Sequence, residues 1–320
     1  MLQFQHPTAD DIPAIVTLWN ESFGPAWPMT ETLLRQTMLV DPFYEDEGCW
    51  LARDNEKIVG WILSKSMKDA GPEWGRFQKN GGIGALCVHP DYQRRGIASQ
   101  LLDRAEAFLQ SHEVTPNLLY FPHHFLPGIP VECEAAMALF AKRGYKLAGE
   151  SVDLWRALAD YEIPAKAREA MRNNPTVELR PARADEAAKL IEFVAREFPG
   201  GWTYSTRGHF ERGGDPADIV VAVEDETIIG FCHTADWNSP WLLPNVYWHE
   251  RLGEHYGGLG PIGIGREHRK RGLGLAICAV AVDHLKDKGV ERMAIDWTTL
   301  IAFYEQMGFQ VWKRYRQASK

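Results

Sequence analysis

The most informative part of the chain is the stretch Gly257-Gly258-Leu259-Gly260-Pro261-Ile262-Gly263-Ile264, followed by Arg266-Glu267-His268-Arg269-Lys270-Arg271-Gly272-Leu273-Gly274. It predicts a short apolar strand, a basic turn and the first turn of a helix. Glycines where a helix begins let an anion approach the free backbone amides, with the helix dipole behind them. The spacing Arg269-x-x-Gly272-x-Gly274 therefore predicts a cradle for a pyrophosphate.

The same pattern occurs earlier in the chain. Gly81-Gly82-Ile83-Gly84 corresponds to Gly257-Gly258-Leu259-Gly260, and Gln93-Arg94-Arg95-Gly96-Ile97-Ala98 corresponds to Arg269-Lys270-Arg271-Gly272-Leu273-Gly274. One glycine-rich turn is a weak signal, but two at matching places indicate an internal repeat. We therefore predict two domains of the same architecture.

The limits of the two domains follow from where the pattern restarts. A strand at 2–6 opens the first half, and Val177-Glu178-Leu179-Arg180-Pro181 opens the second. The segment between Pro164 and Pro175 is rich in Ala, Lys, Arg and Glu, which indicates a linker with a short surface helix. We predict domains at 1–158 and 177–320, joined by a linker at 159–176.

Composition restricts the class of protein. A length of 320 residues fits two domains of about 150 residues each, and the net charge of -8 argues against a general nucleic-acid binder. The five cysteines are scattered without a C-x-x-C pair, as is typical of reduced thiols. The sequence has no signal-like start and no apolar run of about 18 residues. We expect a cytoplasmic protein with no membrane or nucleic-acid partner and no metal.

Each half resembles the GCN5-related N-acetyltransferase (GNAT) family, whose signature is a Gln/Arg-x-x-Gly-x-Gly/Ala turn between the fourth strand and the third helix. The resemblance covers 2–158 and 177–318, and a later Phe/Tyr-x-x-x-Gly-aromatic motif supports it. It implies an α/β (α+β) fold of two tandem GNAT-like domains, each with a mixed, mostly antiparallel central sheet flanked by helices. It also implies acetyl-CoA as the cosubstrate, held through its pyrophosphate.

The resemblance carries the cofactor positions onto both halves. In the second half they are Ile262, Ile264, Arg269, Lys270, Arg271, Gly272, Gly274 and Leu275. In the first half they are Leu86, Val88, Gln93, Arg94, Arg95, Gly96, Ala98 and Ser99. The alternative is a helix start capped by glycine with solvated basic side chains, which fits the first half better because a degenerate copy can keep its fold after losing its ligand.

The family often uses a tyrosine four residues before the late glycine to protonate the departing thiolate. Tyr304 stands at this position before Gly308, whereas Phe140 is its counterpart before Gly144. A phenol can act as the acid because its reference pKa of about 10 lies near that of a thiol. This favours the second half as the catalytic one. The alternative for Tyr304 is an aromatic residue on the buried face of a short helix.

The base that accepts the ammonium proton is less obvious. His233 and Asp236, at the end of the hairpin strand, are candidates, although a strand histidine is often structural and Asp236-Trp237-Asn238 resembles a turn. We expect a backbone amide near Ile264 to polarise the thioester oxygen. The family's usual Asn, seven residues before the tyrosine, is Trp297 here, which puts its pantetheine contact in doubt.

An aromatic insertion precedes the second cradle. It contains Trp237, Trp241, Tyr247, Trp248, His249 and Tyr256. These rings, with Trp202, either form a wall for a sugar or aromatic amine or pack the insertion against the sheet.

Together these features predict an acetyl-CoA-dependent N-acyltransferase that acts on a primary amine of a small molecule, with the carboxy-terminal domain catalytic. A non-catalytic acyl-CoA-binding or interaction protein is the alternative. Activity in both domains is disfavoured by Phe140. The acceptor, the acyl length and the oligomeric state stay open, and a homodimer is among the possibilities.

Overall fold

The computed structural model describes residues 2–71, 74, 80–114, 116–117 and 124–320. These residues form two compact units. The first unit holds the described residues up to Ser151, except Trp74, together with Arg314–Lys320. The second holds Trp74 and Val152–Lys313. Each unit has a mixed, mostly antiparallel sheet flanked by helices, which confirms the predicted fold class.

The first unit begins with a strand and a capped helix. The backbone N–H of Thr8 donates to Asp11 Oδ2 at 2.9 Å, in a capping box that precedes the first helix. The described helices are α1 (Ile12–Phe23), α2 (Glu31–Thr37), α3 (Ile97–Ser111) and α4 (Glu134–Lys142). The described strands are β1 (Leu2–Gln5), β2 (Cys49–Asp54), β3 (Lys57–Ser66), β4 (Gly81–Val88), β5 (Pro116–Asn117), β6 (Ile129–Pro130) and β7 (Lys146–Ala157), which begins in this unit. Strands β1 to β4 are antiparallel, and β4 runs parallel to β5.

The second unit repeats this plan. Its helices are α5 (Ala165–Arg172), α6 (Ala187–Glu197), α7 (Gly201–Glu211), α8 (Leu273–Asp287) and α9 (Ile301–Glu305). Its strands are β8 (Val177–Pro181), β9 (Ile219–Glu224), β10 (Thr227–Asp236), β11 (Tyr256–Ile264), β12 (Arg292–Thr298) and the start of β13 (Gln310–Ser319). The sheet order is β8-β9-β10-β11-β12-β7, with β11 and β12 parallel.

Apolar layers cover both faces of the second sheet. On one face, Ile277 and Leu285 of α8 pack with Ile295 of β12. On the other face, Phe193 of α6 packs with Phe231 of β10. The sheet is therefore buried on both sides, and any polar side chain that it carries inward needs a partner or a ligand.

The closing strands differ from the predicted domain limits. The end of β7 pairs with β12, with Arg156 opposite Met293, so it belongs to the second unit. The end of β13 pairs with β6, with Tyr315 opposite Pro130, so it belongs to the first. The compact units thus part at Ser151 rather than at 158, and the last residues of the chain return to the first unit.

The segment predicted as a linker is docked on the second unit. It contains α5, and Ala167 of that helix is fully buried. The hydroxyl of Tyr161 donates to the carbonyl oxygen of Ala279 at 2.9 Å, and Lys286 Nζ donates to the carbonyl oxygen of Tyr161 at 2.7 Å. These contacts fix the segment along α8.

Within the ranges that the structure describes, no helix is both long and apolar enough to cross a membrane. The same ranges contain no cluster of three or more His, Cys, Asp or Glu side chains arranged to hold a metal ion.

Candidate active site

The two basic turns have the same backbone conformation. Arg94 and Gly96 have φ angles of 64° and 79°, and their counterparts Lys270 and Gly272 have 65° and 78°. A turn that mixes left-handed and right-handed residues directs successive N–H groups into one concavity, which binds anions. Glycine suits the second left-handed position because it has no Cβ to strain.

The helices that follow begin with open backbone amides. Gly96 and Gly272 are the N-cap residues of α3 and α8, and within the described chain neither helix start has a side-chain cap. A Cβ at Gly274 would meet no atom within 4 Å, so the space beside the first turn of α8 is open. Both turns therefore leave backbone amides at a helix start open to an anion.

Three of the predicted cofactor side chains contact protein groups instead. Arg269 Nε donates to the carbonyl oxygen of Ile264 at 3.0 Å, and Gln93 Nε2 donates to that of Val88 at 3.2 Å. Each contact ties the turn to the last residue of the preceding strand. Arg95 likewise donates to the carbonyl oxygen of Asp91. These side chains shape the loop.

Arg271 is held by an ion pair. Its Nη1 and Nη2 donate to Glu224 at 2.9 and 2.8 Å, and its Nε donates to Asn174 Oδ1 at 2.8 Å. The Arg271 guanidinium lowers the pKa of the Glu224 carboxyl to about 2. By contrast, Lys270 and Arg94 are exposed, and among the described residues neither has an ion-pair partner. No carboxylate of the described chain therefore neutralises either charge.

The sheet of the second unit opens beside this cradle. Strands β11 and β12 pair in parallel only as far as Leu259 and Ile295. Beyond that point β11 continues against β10 alone, with Ile262 opposite Cys232 and Ile264 opposite Gly230. The described strands β11 and β12 thus separate after Leu259 and Ile295, and we call the gap between them the wedge. The edge of β11 in this gap can pair with an extended ligand.

A β-bulge interrupts β11 at the mouth of this wedge. Cys232 pairs with Ile262, and Thr234 pairs with Leu259. One residue of β10 therefore lies opposite two residues of β11 at this point. A matching bulge in β4 lies between Ala85 and Ile83. Bulges redirect backbone groups and often lie next to active sites.

The remaining cofactor positions lie near the cradles. Leu275 is packed against the core of the second unit, and Leu86 and Ala98 pack against that of the first. Ser99 lines a cavity of about 370 Å³ in the first unit, together with Lys142 and Lys320.

Tyr304 lies on α9, buried against the α8 face of the second sheet. Burial is the largest cause that raises the pKa of its phenol, and the nearby Cys278, Cys232 and Asp296 raise it further. The group therefore stays protonated at neutral pH, as a proton donor must. The first unit has the buried Phe140 at this place.

His233 is fully buried, and its ring lies 4.8 Å from that of His209 on α7. Burial lowers the pKa of His233 to about 3, with a smaller contribution from His209. Within the described chain neither ring nitrogen has a hydrogen-bond partner. The ring is thus neutral at every physiological pH.

Asp236 is buried and forms an ion pair with Lys288 at 2.5 Å. Its Oδ1 accepts a hydrogen bond from the backbone N–H of Asn238 at 2.7 Å, which closes the turn noted in the sequence. These contacts favour a structural role for this carboxylate.

The aromatic insertion is largely packed. Trp237 lies against the α8 core and 5.0 Å from the ring of His255, while His249 stacks on Tyr256 at 4.6 Å. Trp202 packs on the core of the other sheet face. Trp202 and Trp237 therefore pack against the protein core rather than form an open wall for a ligand.

Sequence reasoning missed three polar residues at the wedge. Asp153 of β7 and Asp296 of β12 bring two carboxyl groups together, and Asn245 lies over β11. The one signal for Asp296 was a carboxylate within the apolar run Met293-Ala294-Ile295-Asp296-Trp297. Asn245 stands in a loop with no pattern to mark it.

Comparison with known proteins gives a consistent result. The model of the acetyltransferase (GNAT) family matches residues 12–145 and 187–309. A mycothiol acetyltransferase of Arthrobacter sp. (strain FB24) is 28% identical over 244 residues, which cover 72% of this chain and 68% of the relative.

Solved structures with this fold include a GCN5-related glucosamine N-acetyltransferase region of a fungal multi-domain GH3 β-N-acetylglucosaminidase. It has a TM-score of 0.89 and 26% identity, and the match covers 100% of this chain but 38% of the fungal chain. A tandem GNAT protein from the clavulanic acid biosynthesis pathway has a TM-score of 0.63 and 17% identity, with 100% and 98% coverage. The second likeness concerns the fold alone.

Proposed function

This chain belongs to the acetyltransferase (GNAT) family, and from that premise we propose that its second unit transfers the acetyl group of acetyl-CoA directly to the primary amine of a small molecule. The observation that carries the proposal is the position of Tyr304 in the unit whose sheet opens beside an uncapped cradle. The first unit has the same cradle backbone but Phe140 in place of the phenol.

The second unit has groups that suit each part of acetyl-CoA. Lys270 and the first amides of α8 would hold the pyrophosphate. The β11 edge at Ile262 and Ile264 would pair with the pantetheine in the wedge. Acetyl-CoA, when bound, supplies the activated acetyl group.

The chain's own groups would then stabilise the developing charges. A backbone amide between the bulge and Ile264 would donate to the carbonyl oxygen of the acetyl group. Tyr304, kept protonated by its raised pKa, would donate its proton to the thiolate as the C–S bond breaks.

The similarities favour an amino sugar as the acceptor to test first. The fungal relative, named for glucosamine N-acetylation, is 26% identical over the whole of this chain. The matches to two mycothiol acetyltransferases cover 72% of this chain. The alternative of a non-catalytic acyl-CoA binder has no support from these relatives, since they are named as enzymes.

A thiol-release assay with acetyl-CoA tests the proposal. We expect glucosamine to increase the release of CoA above the rate without amine, with formation of N-acetylglucosamine detected by mass spectrometry. An intact protein that binds acetyl-CoA but acetylates no primary amine from a panel of amino sugars, amino acids and polyamines would contradict it.

A further inference from the structure

A second β-bulge lies on β12, at the far side of the wedge. Ile295 pairs with Leu154 and Thr298 pairs with Val152, so Asp296 and Trp297 together face the single residue Asp153. Trp297 has a φ of 37°, which is a strained conformation for a tryptophan. Its backbone N–H donates to Asp153 Oδ1 at 3.0 Å, which helps to hold the bulge.

The bulge brings the carboxyl groups of Asp153 and Asp296 close enough to interact electrostatically. Burial, and then the Asp153 carboxylate, raise the pKa of Asp296 to about 8. The Asp296 side chain nevertheless keeps part of its surface accessible, unlike Asp153, which is buried. Asp296 also contributes to the raised pKa of Tyr304, which shows that the two groups lie within electrostatic range of each other.

Asn245 supplies an independent sign of a ligand. Its side chain is 3% exposed, and within the described chain neither Nδ2 nor Oδ1 has a hydrogen-bond partner. A Cβ built on Gly258 would lie 2.8 Å from Asn245 Nδ2 and 3.0 Å from the carbonyl oxygen of Ala294. The amide therefore lies over the last parallel pairs of β11 and β12, directly before the wedge. A buried amide without a partner is unfavourable, and a polar ligand that hydrogen-bonds to it removes that cost.

We propose that Asp153, Asp296 and Asn245 form the acceptor subsite of the second unit, which takes a primary amine that also carries hydroxyl groups. Asp296 receives the ammonium proton, Asp153 holds Asp296 in place through the bulge, and the Asn245 amide binds a hydroxyl. This inference rests on the proposed function and adds the acceptor class and the base.

The spacing of these groups selects a ring-sized acceptor. Ala294 and Asp296 point to the same face of β12, because side chains alternate along a strand, and they are about 7 Å apart. Asn245 lies over the pair formed by Gly258 and Ala294, two residues before Asp296 along β12. An amino sugar, with its amine and hydroxyls on different ring carbons, fits this spacing.

The proton balance of the transfer is complete with the chain's own groups. Asp296 takes one proton from the ammonium group, and the neutral amine forms the C–N bond. The C–S bond breaks, and its electron pair takes the proton of Tyr304. The second proton of the nitrogen returns to the phenol, and Asp296 releases its proton to solvent. The net products are the amide, free CoA and one proton.

The first test replaces Asp296 with asparagine. We expect kcat for glucosamine at pH 7.5 to fall about 100-fold, as for the loss of a general base, with an unchanged Kd for acetyl-CoA in calorimetry. In the wild type kcat should rise with pH up to about 8, where Asp296 loses its proton, and this rise should disappear in Asp296→Asn. Among the described residues, Asp153 on β7 raises the pKa of Asp296, and Asp296 in turn raises the pKa of Tyr304 on α9. The matched control Asp225→Asn, in the exposed β9–β10 turn, should keep both rate and profile.

The second test compares two amines, glucosamine and cyclohexylamine, which share a six-membered ring but differ in hydroxyls. We expect Asn245→Ala to lower kcat/KM about 10-fold for glucosamine and to leave the value for cyclohexylamine nearly unchanged. Equal effects on both amines, or an unchanged pH profile in Asp296→Asn, would overturn the subsite. Acetylation of neither amine by a protein that binds acetyl-CoA would also overturn it, whereas a failure of acetyl-CoA to bind would overturn the proposed function itself.

Discussion

Replacing Tyr304 with phenylalanine is expected to lower kcat about 100-fold while the Kd for acetyl-CoA stays within about twofold of the wild-type value. The phenol is buried on α9, and it is protonated at neutral pH. Phenylalanine preserves the packing of the ring and removes only the hydroxyl group. Steady-state kinetics with glucosamine, together with calorimetry, measures the two quantities separately.

The matched control is Tyr145→Phe. This change removes a buried phenol from the first unit, at the position after the late glycine. Turnover should not change. If Tyr304→Phe kept full turnover, the assignment of the proton donor would be wrong, and a loss of acetyl-CoA affinity would show that the tyrosine acts in binding.

Replacing Gly272 with alanine is expected to destabilise the second unit by about 2–4 kcal/mol. Gly272 has a φ of 78°, and a Cβ there would lie 2.8 Å from the Cβ of Ala170 on α5. The substitution therefore adds steric overlap to backbone strain. Urea denaturation followed by circular dichroism measures the loss.

Gly96→Ala is the matched control for this prediction. Its φ of 79° is nearly the same, but a Cβ there would meet no atom within 4 Å. We expect a cost of about 1 kcal/mol from strain alone. Equal losses in the two variants would mean that α5 is not packed tightly on the start of α8.

The repeated parts of the fold could be predicted because their signals are local. Glycine spacing located both turns and the starts of the helices that follow them, α3 and α8. The hairpin turns are a local signal of the same kind, because their polar residues Asn55, Asp225 and Glu226 adopt positive φ.

The features that were missed depend on contacts between residues far apart in sequence. The sequence shows Arg271 as one more basic residue of the turn, but its partner Glu224 belongs to β9. A bulge is a property of strand pairing, so nothing local predicts that Asp296 meets Asp153. Helix α7, which was not predicted, places the ring of His209 at 4.8 Å from that of His233.

The most direct test of the central claim, that the second unit carries the transfer, is to titrate acetyl-CoA into Gly274→Glu and Ala98→Glu in a calorimeter and to assay both variants for turnover. These positions lie in the first turns of α8 and α3, where a glutamate favours the helix but repels a pyrophosphate. We predict that Gly274→Glu weakens acetyl-CoA binding to the second unit at least about 100-fold and abolishes turnover, and that Ala98→Glu keeps turnover at the wild-type rate. Full turnover in Gly274→Glu would contradict the account, and its loss in Ala98→Glu as well would move the transfer to the first unit.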